Sequence, residues 1–185
     1  MARRVFCTHV TILPEAASLL FSGGFPRHTS DAGRRAIQRA IFHVQCEVER
    51  LALEEGQSAV ALCDRGTLDG LAYWPGMPEA FWQDLGTTSE HELSRYAAII
   101  HLETPPANGG YNSQNPARIE SASEAKIIND RILEAWKDHS RRSVIPSTTD
   151  FLDKSIAALK CIAGELPSCC YGRTGSLTTA PEHAK

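Results

Sequence analysis

The 185 residues carry 22 acidic against 19 basic side chains, a formal net charge of −3, with 42% hydrophobic and 22% charged residues. That balance excludes a generally basic nucleic-acid binder and wholesale disorder, and leaves room for a local basic pocket. No apolar run reaches the roughly 18 residues of a membrane-spanning helix, and Met1-Ala2-Arg3-Arg4 opens no signal-peptide core, so the expected location is cytoplasmic.

Residues 8–13 are short and β-branched and predict a strand ending at Pro14-Glu15. After a turn at Gly23-Gly24-Phe25-Pro26, a long helix is predicted from Ser30 to Glu55, with Gly56 as its stop. Ile37, Ile41, Val44, Val48 and Leu51 recur at helical spacing and predict its core stripe. Gln38, Phe42, Gln45 and Glu49 form a second stripe. Two amides flanking an aromatic suit the edge and face of a heterocycle, and such a stripe is more often a partly solvated flank.

Residues 58–63 predict a strand buried on both faces, as in a parallel sheet, and 97–102 and 143–145 repeat the pattern. Ser121-Ala122-Ser123-Glu124 has capping-box spacing, and the helix behind it is expected to end among Lys137, His139, Arg141 and Arg142, where its dipole favours cations. A last helix is expected over 150–163, burying Phe151, Ser155, Ala158, Leu159 and Ile162. Residues 165–185 read as a disordered C-terminal tail behind a domain spanning 1–164. Cys7, Cys46, Cys63, Cys161, Cys169 and Cys170 include no CxxC pair and read as reduced thiols.

Strands alternating with helices predict an α/β fold with a mostly parallel sheet, whose ligands bind beyond the carboxyl ends of the strands. Those ends carry Glu15, Asp64-Arg65, Glu103-Thr104 and Ser147 to Asp150. Asp64, directly after an apolar strand, suits a magnesium carboxylate, or a cap for a helix starting near Thr67. Arg65 suits a phosphate grip or a surface ion pair. Asp69 suits a cap or a bond to the loop. Arg118, Arg131, Arg141 and Arg142 surround one loop and helix, the arrangement that neutralises charge in phosphoryl transfer; for Arg141 and Arg142, dipole compensation is the plainer use. None of the five lysines follows a glycine, so these residues hold no GxxxxGK(S/T), and HExxH, GxSxG and GxGxxG are absent too.

The segments Pro14-Glu15-Ala16-Ala17, 38–45, 62–76, His101-Leu102-Glu103-Thr104, Tyr111-Asn112, 118–122 and 144–152 resemble the AAA-type ATPase domain of the P-loop NTPases, in the branch related to nicotinamide riboside kinase and the N-terminal domain of the TRPL translocation defect protein. The likeness covers about 10–163. It implies a three-layer α/β/α, kinase-like domain lacking the first strand and P-loop, a strand the family places between those expected at 58–63 and 97–102. It further implies ATP or GTP with Mg2+, Asp64 as the Walker B carboxylate, and Arg118 and Arg131 as lid arginines. Arg65, Ser147, Thr148 and Asp150 fall on the nucleotide side, and Glu15 on the acceptor side. Phosphoryl transfer or hydrolysis is expected to be feeble without Walker A. The other expectation is a non-catalytic regulatory module for a phosphorylated small molecule, a phosphoinositide or a protein partner.

Overall fold

The computed structural model describes residues 10–104, 121–147 and 151–167. β1 (Val10–Leu13) leads into α1 (Ala16–Ser22) and the long α2 (Asp31–Glu55). β2 (Val60–Cys63) runs into a 3-10 turn (Thr67–Asp69), α3 (Gly70–Tyr73), α4 (Pro78–Leu85) and α5 (Ser89–Ser94). β3 (Ile99–Leu102), α6 (Ala122–Ala135), β4 (Arg142–Ile145) and α7 (Phe151–Glu165) follow. This is a helix-rich α/β fold on short parallel strands.

Local chemistry sets the helix limits. Ser30 Oγ accepts the Gly33 N–H at 3.2 Å, and Gly56 ends α2 at φ 59°, a left-handed cap that glycine adopts without Cβ strain. α6 opens on the predicted capping box, Ser121 Oγ taking the Glu124 N–H while the Glu124 carboxylate takes the Ser121 N–H. It ends at Ala135, earlier than expected, with no basic residue in its last turn. The chain needs the following residues to turn into β4. From that strand Arg142 still reaches back to the Leu133 carbonyl at 2.7 Å, whereas Arg141 pairs with Glu165 at 2.6 Å.

The strands form two parallel pairs. Val10 to Leu13 face Val60 to Cys63, and Ile99 to Leu102 face Arg142 to Ile145. Among the described residues no ladder joins the pairs. Ile99 packs on the Leu68, Ala72, Ile132 and Trp136 core, and the hydroxyl of Tyr96, just before β3, accepts the N–H of Thr67, just after β2. The last helix, α7, contacts β3 and β4, and Leu166 just after it gathers Leu159 and Ile162 with Val10, Val60 and Leu62. Leu166, 4% exposed, joins that second cluster, so the packed chain reaches past the expected boundary at 164; the rest of the expected tail, from 168, lies outside the described residues.

Burial expectations are overturned on the strands, on α2 and on α7, where Ser155, Ala158, Leu159 and Ile162 are half-buried instead of buried. The strands β2, β3 and β4, expected to be buried on both faces, leave Ala61, Leu102, Ser143 and Val144 exposed, because the helices that cover the faces of a parallel sheet cover these short pairs only in part. On α2 the buried face shifts toward the second stripe, and Ile41, Val44 and Val48 of the expected one are half-buried. Ile37, Gln38, Phe42, Gln45 and Glu49 are buried, whereas Leu51 is 56% exposed. Phe42 turns inward onto Phe81, which is fully buried against Trp74 and Trp82. The polar residues beside Phe42 rotate inward with it, where partners described below receive them.

Candidate functional site

The carboxyl ends of β1 and β2 bring Glu15, Asp64, Arg65 and Asp69 together. The Asp64 N–H donates to the Leu13 carbonyl at 3.1 Å and carries the parallel ladder one residue beyond β2. Arg65 then turns at φ 79°, a left-handed conformation that costs a residue with a Cβ about 1–3 kcal/mol. Three contacts hold the turn. Gln45 Nε2 donates to the Arg65 carbonyl at 3.3 Å, and the Thr67 N–H donates to the Tyr96 hydroxyl at 2.8 Å. Gly66 lies against the Trp136 ring so closely that a Cβ would sit 2.6 Å from it.

Arg65 stands between two carboxylates, Nε 3.8 Å from Glu15 Oε1 and Nη1 3.4 Å from Asp69 Oδ2. Burial works to lower the guanidinium pKa, but Asp69, Tyr73, Glu15 and Asp64 together outweigh it and raise the value. The Asp69 side chain is 13% exposed, and Trp136 Nε1 donates to its Oδ1 at 2.6 Å. Burial nevertheless pushes the Asp69 carboxyl above the ordinary range, against the opposing pull of Arg65 and Trp136. Asp69 therefore anchors Arg65 and α6; it makes no capping bond, and neither does Asp64, since Gly66 occupies the cap position of the 3-10 turn. The Asp64 side chain is exposed, and among the described residues its carboxylate takes no hydrogen bond.

Beneath the turn lies a buried polar network. Glu49 receives the Tyr96 hydroxyl at 2.8 Å, Arg95 at 2.5 Å and Gln45 Nε2 at 2.8 Å. Burial lowers the Arg95 guanidinium pKa, but Glu49 reverses this and raises it; burial and then Glu49 raise the Tyr96 hydroxyl. Cys46 is pushed up to about 11 and Cys63 to about 12, by burial first.

The structure thus gathers Glu15, Asp64 and Arg65 and sets Gln45 directly below them. Gln38 and Phe42 lie in the wall behind α3, Gln38 Oε1 facing Gly70. Arg131 Nη1 donates to the Ala72 carbonyl at 3.3 Å, tying α6 to α3. Ser147 follows β4, half-buried. Arg118, Thr148 and Asp150 lie outside the described residues. Sequence reasoning missed Trp136, Tyr96 and Asn129; Asn129 Oδ1 meets both His101 Nε2 and the Thr104 N–H at 3.1 Å. Their roles arise from contacts 25 to 67 residues apart in the chain, which no local pattern encodes.

Among the described residues no three His, Cys, Asp or Glu side chains are grouped to hold a metal ion. One open carboxylate at a strand end fits a magnesium ion that keeps several waters and takes its other ligands from phosphate. No described helix is long and apolar enough to cross a membrane.

Short parallel strands with interleaved helices define an α/β domain, with an exposed acidic side chain at the carboxyl end of β2. Residues 1–154 match the AAA domain family, and the chain belongs to it, as a P-loop NTPase-like domain. Comparison with curated proteins and with solved structures gives no significant match.

Proposed function

We propose that the chain binds a magnesium nucleotide at the carboxyl end of β2, and that its parent chemistry is kinase-like phosphoryl transfer or nucleotide hydrolysis. The observation that carries this is the Asp64 carboxylate, exposed and without a hydrogen bond among the described residues, on a turn clamped by Gln45, Tyr96 and Trp136. Magnesium would supply charge neutralisation on the phosphates. Asp64 would hold it directly or through water. Arg65 fixes the turn by its two ion pairs, and Glu15 takes the acceptor side. Ser147, Thr148 and Asp150 would contact the nucleotide, and Arg118 and Arg131 would serve as lid arginines.

These 185 residues supply no glycine-lysine phosphate loop, and one lost transition-state donor is worth on the order of 3 kcal/mol. Turnover by this chain is therefore expected to be feeble. Titration calorimetry with ATP and GTP, with and without Mg2+, tests the binding. The expected result is saturable, magnesium-dependent heat that weakens about tenfold in Asp64→Asn, the loss of one charge-assisted contact, with the thermal midpoint unchanged. Absence of heat with either nucleotide overturns the proposal. Steady ATP turnover that Asp64→Ala abolishes overturns the expectation of feebleness.

A further inference from the structure

Three exposed arginines grip the end of α3 without meeting an acid there. Arg131 Nη1 donates to the Ala72 carbonyl at 3.3 Å, Arg34 Nη2 to the Tyr73 carbonyl at 3.3 Å and Arg35 Nη2 to the Pro75 carbonyl at 3.4 Å. These carbonyls fall between residues 72 and 75, where neighbouring Cα atoms stand about 3.8 Å apart. α2 and α6 thus bring the three guanidiniums onto one short stretch of backbone. Among the described residues, none of the three pairs with a carboxylate, whereas Arg39 pairs with Asp84 at 2.7 Å, Arg65 stands between Glu15 and Asp69, and Arg95 meets Glu49.

A guanidinium presents five N–H donors in a planar fork. Each of these spends one on a neutral carbonyl, at a length beyond the usual range for N–H···O, and its charge stays unmatched. The backbone beneath is fixed: Ala72 is 1% and Trp74 5% exposed, and Gly76 turns at φ 113° with Arg35 Nη2 3.6 Å from where a Cβ would stand. The donors are therefore held in place before any ligand arrives, which lowers the cost of binding one.

We propose that Arg34, Arg35 and Arg131 form a binding site for a phosphomonoester dianion, whose three terminal oxygens accept from the guanidinium N–H groups that the carbonyls leave free. A carboxylate brings two oxygens and one charge, and a phosphodiester one charge, so both answer three cations less fully. α3 follows the Asp64 turn directly, and Tyr73 acts on the Arg65 guanidinium, which sets this site beside the one proposed for the nucleotide. Its ligand is then an acceptor that already carries a phosphate. Only the word acceptor rests on the proposed nucleotide site; the anion site stands without it.

Titration calorimetry of the whole chain with glycerol 3-phosphate, in EDTA and without nucleotide, tests the site. The expected result is saturable heat that weakens about tenfold or more when Arg34→Gln and Arg35→Gln are combined, through the loss of charge-assisted bonds. The thermal midpoint should hold, because glutamine can still donate to the carbonyls. Arg131, already given to the lid, is left intact, and Arg50→Gln on the same helix should change nothing. Dimethyl phosphate, a diester, should bind about tenfold more weakly or less. Sedimentation with phosphatidic acid vesicles, against phosphatidylglycerol vesicles of equal surface charge, separates the sources of the phosphate: selective retention assigns it to a lipid headgroup, and no retention to a soluble ester. Absence of saturable heat overturns the site, as does equal binding of the diester or undiminished binding in the arginine variant. Loss of the glycerol phosphate heat in saturating magnesium ATP overturns the acceptor assignment, since the arginines would then hold the nucleotide's own phosphates.

Discussion

Arg65 combines a left-handed backbone with an ion pair to a buried acid, and its neighbours show how such a residue is kept. Gly66 cannot carry a side chain, because a Cβ would meet the Trp136 ring. Gly66→Ala is expected to cost about 1–3 kcal/mol through overpacking, and the loss should shrink when Trp136 is first changed to Leu, which a double-mutant cycle in urea reads directly. Asp69 carries a pH signature. Its folded pKa is raised by burial, so between the ordinary carboxylate range and the raised value the folded chain holds a proton that the unfolded chain releases. Stability therefore falls as pH climbs through that window. Measured upward from about pH 4, the urea midpoint of the parent should fall relative to that of Asp69→Asn, which can still accept from Trp136. A difference between the two that stays constant or moves the other way contradicts this assignment.

Among the elements, α2 teaches most about what a pattern can encode. Its length, its Ser30 cap and its Gly56 stop follow from local chemistry and were legible in the sequence. The direction of its buried face was not. Apolar spacing marks a stripe, but Leu51 meets no layer, while Gln45 and Glu49 meet Arg95, Tyr96 and the Arg65 carbonyl, partners supplied by distant segments. The consequence is the reverse of a hydropathy-based forecast. Leu51→Lys, at a position 56% exposed, should change stability by no more than about 0.5 kcal/mol. Glu49→Ala should cost about 1–3 kcal/mol, because the Tyr96 hydroxyl and Gln45 lose their acceptor and Arg95 keeps only Glu92, at 3.3 Å. Chemical denaturation of the two variants decides between the stripes. The same burial predicts that Cys46 and Cys63, pushed up to about 11 and about 12, stay protonated near neutral pH. Iodoacetamide should therefore leave them unmodified in the folded protein while labelling both in urea.

Across the whole molecule, the strand positions and the carboxylates at their ends were readable because each strand is a local apolar run closed by a breaker, as at Leu13-Pro14 and Cys63-Asp64. How the strands associate was not, since pairing depends on edges and no residue type specifies which edge is filled. The two pairs are joined through α7 and the Trp136 cluster, and Trp136 is 3% exposed. Trp136→Ala should cost about 3–5 kcal/mol and broaden the urea transition as the two halves cease to unfold together. A sharp, coincident transition by fluorescence and circular dichroism in that variant would show that α7 alone couples them.

The pairing registers also set the order in which the chain can fold. Val10 lies opposite Val60, and Ile99 opposite Arg142, so neither ladder forms its first rung until a long loop has closed, and such distant closures are slow. During synthesis β1 leaves the ribosome well before its partner exists. α2, whose cap and stop are local, has time to form first and carry β2 toward β1. Throughout that delay the apolar strands present bare edges to every other nascent copy, so expression temperature and chain concentration, more than equilibrium stability, should govern how much of this protein is recovered in native form.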